Sequence, residues 1–157
     1  MNSPLPPKKH FISWHDFQED TLTLAHKLPQ KSWEGIIAIT RGGLIPAALI
    51  AHHLSITLIE TLCLSSYDDT THKQSQLRIL KDISPCARQN WLVIDDLIDT
   101  GKTINMVRKM VPGAYCAAVY GKSHGLHLID AFAKEINAWI VFPWEMDLDN
   151  LKQLGRC

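Results

Sequence analysis

"WLVIDDLIDTGKT", residues 91–103, runs from an apolar stretch into two adjacent carboxylates and ends in Gly-Lys-Thr. That ending is shared with P-loops, which need a glycine five positions before their last one so that bare amides can wrap the phosphates. Asp96 holds that position. A carboxylate inside a phosphate cradle repels the ligand, so the ATPase reading fails on electrostatics.

The same residues suit a different phosphate chemistry. The amides of Thr100, Gly101, Lys102 and Thr103, at the start of a predicted helix, aim partial positive charge at one point, enough for one phosphate monoester. Asp95 and Asp96, at the strand end, sit one phosphate-ribose length away. They can accept hydrogen bonds from vicinal hydroxyls, or hold a hard divalent cation through water. A sugar phosphate with free 2′ and 3′ hydroxyls satisfies both halves. A second glycine turn, "TRGG" at 40–43, adds backbone donors and Arg41, whose guanidinium suits diphosphate oxygens. The substrate would then carry phosphates at both ends.

Length and charge set limits on the rest. The 157 residues fit one domain able to bury roughly two-thirds of its unfolded surface. Sixteen basic against sixteen acidic side chains leave no net charge to draw a polyanion, which argues against nucleic acid as a partner. Four widely spaced cysteines, with no CxxC pair and no secretory start, point to reduced thiols in a cytosolic protein. The longest apolar run, residues 44–51, is too short to span a bilayer. Eight histidines lack the acidic or thiol company of a zinc site; His124 and His127 read as surface or pocket-rim residues.

Periodicity predicts a helix over 14–28 stopped by Pro29, strands at 35–40, 57–64, 91–97, 114–120 and 138–142, and helices in "GLIPAALIAHHL" and "GKTINMVRKM". The alternation predicts an α/β sheet, mostly parallel, whose ligands bind beyond the carboxyl ends of the strands. There "TRGG", "DDLIDTGKT" and "GKSHG" (121–125) converge, with "SSYDDTTHKQSQ" (65–76) expected as a mobile loop over the same rim.

At this point "VIDDLIDTGKT" resembles the phosphoribosyl-diphosphate signature of the type I phosphoribosyltransferases. "GIIAITRGGLIPAALIA", "SSYD", "AWIVFPWEM" and Trp14 in "FISWHDF" are similar to the bacterial xanthine-guanine branch of that family, and the resemblance covers about residues 11–146. It implies the type I fold, a mostly parallel twisted sheet flanked by helices with a small hood from the chain ends. The whole chain, 1–157, would be one domain, its core at about 30–125 and its hood at about 8–28 and 128–157.

The activity implied is purine salvage: transfer of 5-phosphoribosyl from phosphoribosyl diphosphate to N9 of guanine and xanthine, hypoxanthine less well, with release of diphosphate and Mg2+ bound. By motif position, Asp95 and Asp96 correspond to the ribose and metal carboxylates, with Asp96 on the metal, and Asp99 to the general base near purine N7. Arg41 and Gly42 would serve the diphosphate, and Thr100, Gly101, Lys102 and Thr103 the 5′-phosphate. Lys122 would donate to O6, Trp139 would stack on the purine, and the backbone of Trp139 and Ile140 would read its 2-substituent. Relatives turn the chain at "TRGG" with a non-proline cis peptide, so Thr40–Arg41 is expected cis.

Two departures from the family pattern stand out. Ser75 occupies the place of the loop arginine that precedes a helix matching "LRIL" (77–80), leaving Lys73 or Arg78 to contact diphosphate. Glu145 replaces the usual aspartate, and "DLDNLKQLGRC" does not match the family's apolar end. The resemblance further implies a cytoplasmic homotetramer. Relatives attach peripherally to the inner face of the inner membrane, although no polybasic amphipathic helix is present here. The rival readings are hypoxanthine-guanine transfer and a non-catalytic regulator that senses phosphoribosyl diphosphate. The second would need a nucleic-acid surface that the neutral charge does not offer.

Overall fold

A computed structural model describes residues 8–67, 76–83, 89–147 and 149. The first helix, α1 (Trp14–Lys27), starts where Ser13 accepts the Asp16 amide at 3.0 Å. It buries Phe17, Thr21, Leu24 and Ala25 on one stripe. The chain turns extended at Leu28, as the proline that follows requires.

Eight strands accompany it among the described residues: β1 (Lys9–Phe11), β2 (Gly35–Thr40), β3 (Ile59–Tyr67), β4 (Gln76–Lys81), β5 (Trp91–Ile98), β6 (Tyr115–Gly121), β7 (Ala131–Glu135) and β8 (Trp139–Val141). Helix α2 (Leu44–His53) follows β2 and α3 (Lys102–Met110) follows β5. Six strands form one sheet in the order β4-β3-β2-β5-β6-β7, parallel except for the antiparallel β3–β4 pair.

Strands β2 and β5 are apolar over consecutive residues because the sheet is covered on both faces. Ile36, Ala38, Leu92, Ile94 and Val119 face the layer that holds Phe17, Leu24, Ala47 and Ile50. Their alternates Ile37, Ile39, Val93 and Cys116 pack with Ile104 and Val107 of α3. Cys63 and Cys116 are free thiols, as expected; Cys86 and Cys157 lie outside the described residues.

The strand expected at 138–142 is β8, which pairs with β1 in a separate two-stranded sheet. Two expectations need correction. The "LRIL" stretch is a strand, β4, not a helix: it returns antiparallel on β3, with Arg78 opposite Ser65. Within the segment assigned to the hood, Ala131–Glu135 instead extends the main sheet as β7.

Two contacts tie α1 to that sheet. Tyr120 donates its hydroxyl to Asp20 Oδ2 at 2.8 Å, and Lys134 approaches the same carboxylate at 3.1 Å. Burial, then the Asp20 contact, pushes the Tyr120 hydroxyl far above the ordinary tyrosine range. The strand order reverses between β2 and β5, where the chain leaves β2 toward β3 and β5 toward β6. Loops leaving those two neighbours diverge, which opens a crevice at the carboxyl ends.

Candidate active site

The β2 end of the crevice is the "TRGG" turn, and its Thr40–Arg41 peptide bond is cis, as expected. Within the turn Gly43 donates to Ile39 O at 2.8 Å and Leu44 to Arg41 O at 3.1 Å. Arg41 is exposed. A Cβ on Gly42 would stand 2.1 Å from Asp96 Oδ2, so this glycine lets the β5 carboxylate rest against the β2 turn.

Asp95 and Asp96 lie near the carboxyl end of β5, followed in the strand by Leu97 and Ile98. Asp95 is buried, and its Oδ1 accepts the Asp96 amide at 2.9 Å. Burial first, then the neighbouring Asp96 charge, raises the Asp95 carboxyl well above the ordinary value; burial likewise raises Asp96. Glu145, the unexpected acid of the C-terminal segment, adds to this: its negative charge also disfavours ionisation of Asp96. Its side chain accepts the Phe142 amide at 3.0 Å, closing the short 3₁₀ turn Pro143–Glu145.

Beyond the acids, Gly101 takes a left-handed φ of 80° and caps α3 without any side-chain bond. The residues Leu97 through Ile104 line a cavity of about 100 Å³ under the first turn of that helix. Its size and exposed amides suit one phosphate. Asp99 is therefore not the helix cap. It faces outward to Lys122, whose Nζ lies 3.2 Å from Asp99 Oδ1. His124 Nε2 approaches the same oxygen at 3.5 Å, a contact that a reading of it as a rim residue missed.

On the far side, Lys122, His124, Asn137, Ala138, Trp139 and Lys8 line an open cleft of about 630 Å³. Trp139 leaves its ring largely in solvent, 58% exposed, although it lies in a strand. Its amide donates to Lys8 O at 3.2 Å within the β1–β8 pair, so that donor is occupied. Lys73 and Ser75 lie outside the described residues, while Arg78 is exposed on β4.

The sequence profile of the phosphoribosyl transferase domain matches residues 21–151. This chain belongs to the phosphoribosyltransferase family. It is 41% identical over 145 residues to the xanthine-guanine phosphoribosyltransferase of Chromohalobacter salexigens, covering 91% of this chain and 88% of that one. To the protein of the same name from Desulfotalea psychrophila it is 45% identical over 139 residues, covering 87% and 86%. Among solved structures, the xanthine-guanine-hypoxanthine phosphoribosyltransferase of Helicobacter pylori superposes with a TM-score of 0.76 at 27% identity, covering 93% of this chain and 99% of that one. The type I phosphoribosyltransferase fold thus accounts for the reversed strand order and for the three loops at its switch point.

Proposed function

We propose that this chain is a purine salvage enzyme that transfers the 5-phosphoribosyl group from phosphoribosyl diphosphate to N9 of guanine and xanthine, and less readily hypoxanthine. The observation that carries the reading is the Asp99–Lys122 pair, held at 3.2 Å between a phosphate-sized cavity and an open cleft edged by Trp139. An acid and an ammonium side by side match the N7–H and O6 edge of a 6-oxopurine. The ring stacks on Trp139, and carbonyls of Trp139 and Ile140 accept from a 2-amino group. Asp99 takes the N7 proton as N9 attacks the anomeric carbon and the diphosphate bond breaks.

The ribose hydroxyls donate to Asp95 and Asp96, the 5′-phosphate takes the amides of Thr100, Gly101, Lys102 and Thr103, and Arg41 and Gly42 receive the departing diphosphate. The Asp95–Asp96 pair also fits Mg2+, because a hard dication would offset the burial and neighbouring negative charge that raise both carboxyls. Asp96 would hold it together with substrate oxygens; the bound ion neutralises leaving-group charge. Oligomerisation as a homotetramer belongs to the same reading. So does residence in the cytoplasm with peripheral attachment to the inner membrane face. Among the described residues no helix is long and apolar enough to cross a membrane.

The Helicobacter pylori protein's name includes hypoxanthine, which keeps a broader base range as the second reading. One assay separates the two: purified protein with phosphoribosyl diphosphate and Mg2+, offered guanine, xanthine, hypoxanthine, adenine and orotate in parallel. Guanine and xanthine turn over well and hypoxanthine less. Adenine falls by roughly 10⁴-fold, because its 6-amino group meets the Lys122 ammonium donor to donor. Adenine turnover close to that of guanine would sink the role given to Lys122. Hypoxanthine equal to guanine would favour the broader reading.

A further inference from the structure

The purine cleft contains one group that the signature motifs do not include. Lys122 Nζ and His124 Nε2 converge on a single oxygen, Asp99 Oδ1, at 3.2 and 3.5 Å. The turn that presents them is held from three sides. The Lys122 amide donates to Ile98 O at 2.9 Å. Asn137 Oδ1 accepts both the Ser123 amide, at 3.0 Å, and the Ser123 hydroxyl, at 3.1 Å. Gly125 lies so close to the loop opposite that a Cβ there would stand 2.5 Å from Asp99 O. Asn137 Nδ2 also donates to Glu135 at 2.7 Å, which joins the turn to the strand that leads to Trp139. His124 is therefore set against Asp99 by the packing of two loops, even though its own side chain is 57% exposed.

Resting on the reading above, we infer that His124 is a positioning residue for the purine reaction: it holds Asp99 Oδ1 while Lys122 turns its ammonium to the purine O6. The physical need is specific. Lys122 is the nearer partner of Asp99 in the free protein and is also the group proposed to bind O6. As a 6-oxo group draws the ammonium away, Asp99 loses that partner at the moment its other oxygen must point at N7. A carboxylate has lone pairs for two donors on one side, so His124 can keep the orientation that Lys122 gives up. Lys8, Asn137 and Trp139 line the same cleft.

The test compares wild type, His124→Ala and His124→Gln by steady-state kinetics in both substrates. His124→Ala lowers kcat/KM for guanine about tenfold, the scale of the hydrogen bond to Asp99 that His124 would tighten once Lys122 has turned away, and leaves KM for phosphoribosyl diphosphate within about twofold. His124→Gln, which keeps a side-chain donor at similar reach, recovers most of the loss. Placing His124→Ala in a Lys122→Ala background gives a non-additive loss, because both side chains serve one oxygen. An unchanged kcat/KM for guanine in His124→Ala would overturn the inference. So would a rise in KM for phosphoribosyl diphosphate as large as the loss for guanine, or strict additivity with Lys122→Ala. The wild-type row decides the underlying reading separately: no transfer to any 6-oxopurine overturns that reading, whereas the variant ratios decide His124.

Discussion

The two halves of the candidate site are built by different means. The half proposed for phosphoribosyl diphosphate is largely backbone, with the Asp95 and Asp96 carboxylates beside it: a cis turn, a glycine that admits Asp96, a left-handed glycine and the first amides of α3. The half proposed for the purine is largely side chain: Asp99, Lys122, His124, Asn137 and Trp139, delivered by separate segments of the chain. The phosphates are the same in every turnover, so rigid amides can read them. A base must be told from its isosteres, which takes donors and acceptors of chosen chemistry. Errors in the first half should therefore act through space and in the second through lost functional groups.

The largest test of that contrast is Asp99→Asn. Turnover falls by roughly 10²- to 10⁴-fold, the range for losing a positioned general base, while affinity for phosphoribosyl diphosphate is kept. Single-turnover chemistry at the wild-type rate would reduce Asp99 to a structural partner of Lys122.

Next comes Gly42→Ala, one added methyl whose carbon meets Asp96 Oδ2 at 2.1 Å. Misplacement on that scale costs about 10²-fold in kcat/KM for phosphoribosyl diphosphate, with KM for guanine little changed. Removing far more atoms in the purine half costs less: Trp139→Ala loses one stacking surface, about 1–3 kcal/mol, read as a raised KM for guanine. If Trp139→Ala proved the more damaging of the two, the division into backbone and side-chain halves would fail.

The smallest effect is on stability, and it has the opposite sign. Burial first, with the Asp96 charge beside Asp95 and the Glu145 charge near Asp96, holds both carboxyls above their ordinary value of 3.8, so between that value and the raised ones the folded protein binds more protons than the unfolded. Their contribution is complete below about pH 3.8 and is lost as pH rises through the folded values. Asp95→Asn removes the ionisable group while its remaining oxygen can still accept the Asp96 amide. The ligand-free variant melts higher than wild type at pH 7.5, by about 2–4 °C for each kcal/mol relieved, and the gain shrinks toward pH 4. Equal melting temperatures across that range would place both acids in contact with water.

What could be read without coordinates follows the same division. "VIDDLIDTGKT" and "TRGG" were legible because close backbone approach tolerates few residue types, and those residues are contiguous. The central strands β2 and β5 were legible because burial on both faces demands unbroken apolar runs. Strand β4 was not: "QLRILK" carries helix-compatible residues, and only its antiparallel pairing with β3 makes it a strand. Strand β1 was not read either: three residues are too short for any period, and it exists because it pairs with β8 across the chain.

By itself, then, the sequence determined the local devices: the acidic strand end, the glycine turns, the helix starts and the apolar runs of the sheet, each of which depends on neighbours in the chain. Tertiary structure alone decided which distant groups share a carboxylate or a cleft. Nothing in the spacing of Asp99, His124 and Asn137 encodes their meeting. It arises because β5 and β6 are parallel neighbours whose ends lie side by side, and because Asn137 anchors the turn after β6. A contact of that kind depends on the register of two strands, which is set by the packing of the whole sheet.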